Sequence, residues 1–92
     1  MAQYSLTMTG QFRRDLKLAK KRGLDMELLF AVLDLLVAGE ALPPQYREHL
    51  LTGNYRGLYE CHIQPDWLLI YDRSDVLRII ALQRTGTHSD LF

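Results

Sequence analysis

Along the chain, the spacing of apolar positions starts at two, lengthens to a helical period and returns to two. Residues 3–8, QYSLTM, alternate and are rich in β-formers, which predicts a strand. Phe12, Leu16 and Ala19 then recur at i, i+4 and i+7, one face of a helix over 10–22. Thr9 stands where a cap belongs, and Gly23 supplies the stop. Asp25 opens a second helix, in which Met26, Leu29, Phe30, Leu33, Leu36 and Val37 trace one apolar stripe. Gly39 and the pair Pro43–Pro44 end it. So short a link between two helices predicts an antiparallel hairpin.

From Gly39 to Asn54 the chain reads as a loop, and three strands follow: Tyr55–Ile63, Trp67–Asp72 and Val76–Thr85. The connections QPD and RSD are short enough to make both links antiparallel hairpins. A strand, two helices and three strands predict an α+β domain over 1–92, with the helix pair on one face of a small sheet. This topology has a chemical consequence. His62 lies just before the QPD turn, and Asp66 and Trp67 leave that turn. Two hairpins later the chain returns, bringing Arg84 and His88 to the same rim.

Composition sets the class. The 92 residues are 48% hydrophobic and 24% charged, ordinary for a globular domain. One cysteine, Cys61, rules out an intrachain disulfide and fits a reducing compartment. The opening MAQYSLTMTGQFRR lacks the basic-then-apolar layout of a signal peptide, and LLFAVL is too short to span a bilayer. The expectation is a cytoplasmic protein without a membrane partner.

The formal net charge is zero, yet Arg13, Arg14, Lys17, Lys20, Lys21 and Arg22 put six of the eleven basic residues into one helix. Such a cluster suits contact with a polyanion, although a solvated helix face explains many charge runs.

Two imidazoles, a carboxylate and a guanidinium suit acid–base attack on a phosphodiester. RNA carries its own nucleophile, the 2′-hydroxyl, so the protein needs a base, an acid and a fixed cation. Histidine serves as either of the first two near neutral pH, and arginine matches phosphate as the third. Trp67 and Phe92 are candidates to stack on unpaired bases. Each residue also has a structural reading: His62 as a hydrogen-bonded strand residue, Asp66 as a turn residue after Pro65, Trp67 as core. Tyr46, Tyr55 and Tyr59 either line the site or support the sheet. His49, His62, His88 and Asp66 could also hold zinc, but no pair has the helical spacing of recognised metal motifs. The acid–base scheme needs neither metal nor cofactor.

The segments HLLTGNYRGLYECHIQPDWLLIY (49–71) and QRTGTHSDLF (83–92), with the first helix GQFRRDLKLAKKRG, resemble the YafQ-like branch of the RelE superfamily of bacterial toxins. The resemblance spans nearly the whole chain. It implies a RelE-like fold and a ribosome-dependent endoribonuclease that cuts translated mRNA in the A site. It also implies a cognate antitoxin as inhibitor, with operator DNA as a partner of the complex through that antitoxin. The family's functional positions fall on His49, His62, Asp66, Trp67, Arg84, His88 and Phe92, and the basic helix would face ribosomal RNA. Relatives often carry arginine near position 59, where this chain has Tyr59, leaving Arg84, with Arg56, as the phosphate cation. Two alternatives stay open: a non-catalytic member that only binds its partner or RNA, and a metal-dependent nuclease.

Overall fold

The computed structural model describes residues 3–92. Strand β1 (Ser5–Met8) leads into helices α1 (Gly10–Lys21) and α2 (Met26–Val37). A two-residue strand β2 (His49–Leu50) follows, then β3 (Tyr59–Gln64), β4 (Trp67–Ser74), β5 (Ile79–Gly86) and a terminal turn of helix α3 (His88–Leu91). The five strands lie in the order β1-β5-β4-β3-β2. Strand β1 pairs in parallel with β5, and the remaining neighbours are antiparallel. No helix among the described residues is long and apolar enough to cross a membrane.

The helices start where the sequence places caps. Thr9 Oγ1 accepts the Phe12 N–H at 3.0 Å, and the Asp25 carboxylate accepts the Glu27 N–H at 3.0 Å. Phe12 and Ala19 of α1 and Leu29, Val32 and Leu36 of α2 are buried against one sheet face, together with Cys61, Trp67, Leu69, Tyr71, Ile80 and Leu82. Each large apolar side chain buried there contributes about 1.5–3 kcal/mol. Phe30, assigned from its spacing to the buried stripe, is instead largely exposed. The opposite sheet face carries a smaller cluster of Leu68, Ile70 and Leu91, flanked by Leu51, Tyr55 and Leu58.

Other differences concern ends and short pieces. The predicted strand from Tyr55 begins only at Tyr59, because residues 53–55 form a 3₁₀ turn. The last strand begins at Ile79, since Val76, 92% exposed, and Leu77 occupy the tip of the hairpin. The loop 39–54 contains β2 and a 3₁₀ turn, Pro44–Tyr46. Helix α3, unforeseen, is stabilised by reciprocal capping: Thr87 Oγ1 accepts the Asp90 N–H while the Asp90 carboxylate accepts the Thr87 N–H.

One side of β5 poses a problem that α1 solves. Strand β1 accompanies β5 only as far as Leu82, leaving the backbone beyond it without a partner strand. Thr9 Oγ1 donates to the Gln83 carbonyl at 3.0 Å. Asp15 Oδ2 then accepts the Thr85 N–H at 3.1 Å, so a side chain takes over where the ladder stops. The same carboxylate grips Arg84 with both oxygens, at 2.7 and 3.2 Å, and accepts from Gln11 at 3.0 Å. Burial pushes the Asp15 carboxyl up, but the bonds from Arg84, Gln11 and Thr85 outweigh it and hold it below its usual value.

Asp15→Ala strands a partly buried guanidinium and an edge N–H, and its expected cost is about 3 kcal/mol, read as a fall in the urea midpoint at unchanged slope. Asp15→Leu combined with Arg84→Met should recover much of that loss, because no unpaired charge then remains.

Candidate active site

The β3–β4–β5 register sets the site. His62 stands opposite Leu68, which stands opposite Gly86; one step along, Glu60, Ile70 and Arg84 form the next row. Residues directly paired across antiparallel strands share a face, so both rows start from the sheet face that carries Leu68 and Ile70, and the Arg84 side chain turns back over the edge to Asp15 of α1. His49, paired with Glu60 from β2, joins them. Helix α3 completes the rim, with the His88 ring centroid 5.8 Å from that of His62 and His49 at 6.3 Å on the other side. His49, His62, Asp66 and His88 therefore do come together.

Asp66 anchors His88. Its Oδ1 accepts both the His88 backbone N–H, at 2.9 Å, and Nδ1–H, at 2.7 Å. These two bonds, the backbone one first, hold the Asp66 carboxyl below its usual value. With Nδ1 committed as donor, the exposed His88 ring is left with Nε2 to exchange a proton with a ligand. His49 is oriented the same way, its Nδ1 donating to the Arg47 carbonyl at 2.8 Å.

Glu60 is the residue that sequence reasoning missed. Its buried Oε1 lies 3.3 Å from His49 Nε2 and 3.5 Å from His62 Nε2, so one carboxylate serves two imidazoles. The signal available was a charged residue one position from the apolar side of a strand, opposite the central Ile70. His62 is mostly enclosed, and its Nδ1 is buried without a hydrogen-bond partner. Among the described residues no group of three or more His, Cys, Asp or Glu side chains is arranged to hold a metal ion. Cys61 lies beneath the sheet, where burial, then Glu48 and Glu60, pushes its thiol up to about 12. It is no nucleophile.

The other predicted residues divide. Trp67, expected as a stacking residue, is instead 2% exposed and packed in the main core, with Nε1–H donating to Thr85 Oγ1 at 2.9 Å. Leu69 and Tyr71 share its alternation and its burial, and a ring so enclosed offers little surface to a base. Phe92, 62% exposed, meets Tyr55 edge-on at 5.3 Å and leaves a free face. Arg84 reaches the rim already paired with Asp15, with Nη1 at 3.4 Å from the Tyr55 hydroxyl. Tyr59 stacks on Tyr71 at 5.6 Å, so no cation stands at that position.

Arg13, Arg14, Lys17, Lys20 and Lys21 are exposed on α1, as is Arg22 at its C-cap. Arg22 grips Asp90 of α3 at 2.6 and 3.2 Å, which ties the basic helix to the segment that carries His88. That bond, with those from Thr87, depresses the Asp90 carboxyl strongly. Gly86 allows this closure, since a Cβ there would lie 2.9 Å from Asp90 Oδ2.

Both carboxylates that hold α3 are depressed on folding, so their stabilisation is present above the ordinary aspartate value of 3.8 and is lost as pH falls through their lower folded values. Acidification below about pH 4 should release α3 before the sheet unfolds, seen as loss of amide protection at His88 and Leu91 ahead of Leu69. Gly86→Ala should cost about 1–3 kcal/mol and give the same early release at neutral pH.

Known proteins share this fold. The family model for the bacterial toxin YafQ of type II toxin–antitoxin systems matches residues 4–92. The chain is 40% identical to the mRNA interferase toxin YafQ of Escherichia coli strain K12 over 93 aligned positions, covering 100% of this chain and 99% of that one. The crystal structure of YafQ from E. coli strain BL21(DE3) superposes with a TM-score of 0.90 at 38% identity, covering 98% of this chain and 99% of that one. A structure from the E. coli DinJ–YafQ toxin–antitoxin complex gives 0.89 at 40% identity, with 98% of both chains covered. The chain belongs to the YafQ family of bacterial toxins, within the RelE superfamily.

Proposed function

We propose that this protein is the toxin of a type II toxin–antitoxin pair and acts in the cytoplasm as a ribosome-dependent endoribonuclease on mRNA. The observation that carries the reading is the pair of adjacent imidazoles at one rim: exposed His88 fixed by Asp66, and the mostly enclosed His62 beside it, backed by Glu60. In the reaction, one imidazole takes the proton of a ribose 2′-hydroxyl as its oxygen attacks the adjacent phosphorus. The other gives a proton to the departing 5′-oxygen. The P–O5′ bond breaks as P–O2′ forms, leaving a 2′,3′-cyclic phosphate and a 5′-hydroxyl, with no metal or cofactor required. Arg84, whose Nε and Nη2 are held by Asp15, has its remaining N–H groups for the charge that develops on phosphorus. Phe92 stacks on a base of the codon.

The exposed cations of α1 contact ribosomal RNA backbone, which is why the charge is concentrated there rather than spread. The antitoxin encoded beside it is the protein partner, and through it the complex binds operator DNA. The E. coli DinJ–YafQ complex supports that partnership.

A second reading follows from two observations: Tyr59 supplies no cation, and Arg84 is partly neutralised by Asp15. In that case the protein binds without cutting. Primer extension on translated mRNA separates the readings. Expression of the unmodified protein should give cuts and growth arrest, while His88→Ala should lose about 10²–10⁴-fold in cleavage. Absence of cuts with the unmodified protein supports the pure binder, and equal cutting by both removes His88 from the chemistry. Replacing Lys17, Lys20 and Lys21 by Gln should weaken ribosome binding and flatten its salt dependence, measured by co-sedimentation across potassium chloride concentrations.

A further inference from the structure

The imidazole rim continues into a hollow that the scheme above does not use. Its volume is about 550 Å³, within the range of small-ligand sites, and it runs along β3 between the start of α2 and the 3₁₀ turn Pro44–Tyr46. His62 is a wall of both this hollow and the catalytic rim. The other walls are of two kinds. Tyr46, Pro44, Pro65 and Ile63 give flat or apolar surface, whereas Gln45, Gln64 and Arg47 give directional polar groups.

Two further features mark it as built for a ligand. Strand β2 pairs with β3 only at Tyr59 and Glu60, so the outer edge of residues 61–64 has no partner strand and can offer backbone groups beside the hollow. Arg47 adopts the left-handed backbone conformation, φ 52° and ψ 43°, which an L-residue other than Asn or Asp takes at a cost. Its carbonyl is the acceptor for His49 Nδ1 at 2.8 Å, so the geometry of the Arg47 corner and the orientation of a rim histidine are set together.

We propose that this hollow is a base-binding subsite: it receives the nucleobase next to the scissile phosphate, with Tyr46 as its stacking face and Arg47 and Gln64 reading its edge. A phosphate ligand would need more than one cation, and an aliphatic one would leave two amides and a guanidinium without a purpose. A nucleobase uses both kinds of wall: its face meets the ring and the prolines, and its edge meets the amides and the guanidinium. Because His62 is common to both regions, a phosphate poised between His62 and His88 has its neighbouring base within one nucleotide's reach of the hollow. The subsite then sets which bases are tolerated at the cut. This inference rests on the RNA-cleaving reading and makes it specific.

The test uses ribosomes programmed with a defined mRNA and cleavage measured in a single turnover. The mRNA is either intact or carries one abasic nucleotide, placed in turn at each position of the cut codon. Tyr46→Ala should slow cleavage of intact mRNA by about 5- to 100-fold, and Tyr46→Phe should not. Tyr46→Leu keeps an apolar side chain against the core, so it should melt near the parent temperature yet cut as slowly as Tyr46→Ala. At one abasic position the unmodified toxin should slow similarly, and there Tyr46→Ala should add nothing. Tyr46→Leu cutting at the parent rate overturns the subsite, as does a Tyr46→Ala defect of equal size with every abasic substrate. If the unmodified toxin cuts no mRNA, the nuclease reading itself fails and takes the subsite with it; normal cutting that ignores Tyr46 defeats the subsite alone.

Discussion

The bidentate grip of Asp15 on Arg84, with the Thr85 N–H on the same carboxylate, is the contact on which the active rim depends. It is a local solution to a general difficulty: a parallel strand that stops early leaves edge groups exposed. Here a helix side chain replaces the missing strand. The consequence is larger than the satisfied N–H. The same carboxylate fixes the azimuth of Arg84, and with it the end of β5 from which His88 departs. The rim has further supports beside it. Arg22 with Asp90 supplies one, and Asp66 with His88 another. All three are carboxylates gripping donors across elements, and α1 contributes to two of them.

This arrangement gives the basic helix a double duty. Its outward face carries the cations, while its inward face and last turn hold the catalytic segment in place. The basic face of α1 and the segment that carries His88 are thus joined by short, charged contacts. Arg84 gains a fixed direction from Asp15 at the cost of part of its charge. On the proposed mechanism, that exchange suits a group that receives charge only as it develops.

Much of this was legible in the sequence. The change of period from helix to strand located α1, α2 and the three long strands, and the two tight connections made convergence of residues 62–88 a topological necessity. Family resemblance added His49, which no pattern places on the rim. What stayed hidden was held by contacts between segments far apart in the chain. Strand β2 is two residues long and exposed, with no alternation to read. Helix α3 depends on Thr87 and Asp90 capping each other and on Arg22 arriving from the other end of the chain. Trp67 alternates with Leu69 and Tyr71 and is core for that reason. Glu60 and Asp15 are single acidic residues whose neighbours become known only once the sheet closes.

The central claim is that the substrate supplies its own nucleophile and the two imidazoles only move protons. A single 2′-deoxynucleotide placed on the 5′ side of the mapped cut in a ribosome-bound mRNA tests it most directly. Cleavage there should vanish, while the all-ribose control ends in a 2′,3′-cyclic phosphate and a 5′-hydroxyl. Continued cutting at the deoxy position, or products ending in a 5′-phosphate, would show that water or another group attacks instead and would contradict the account.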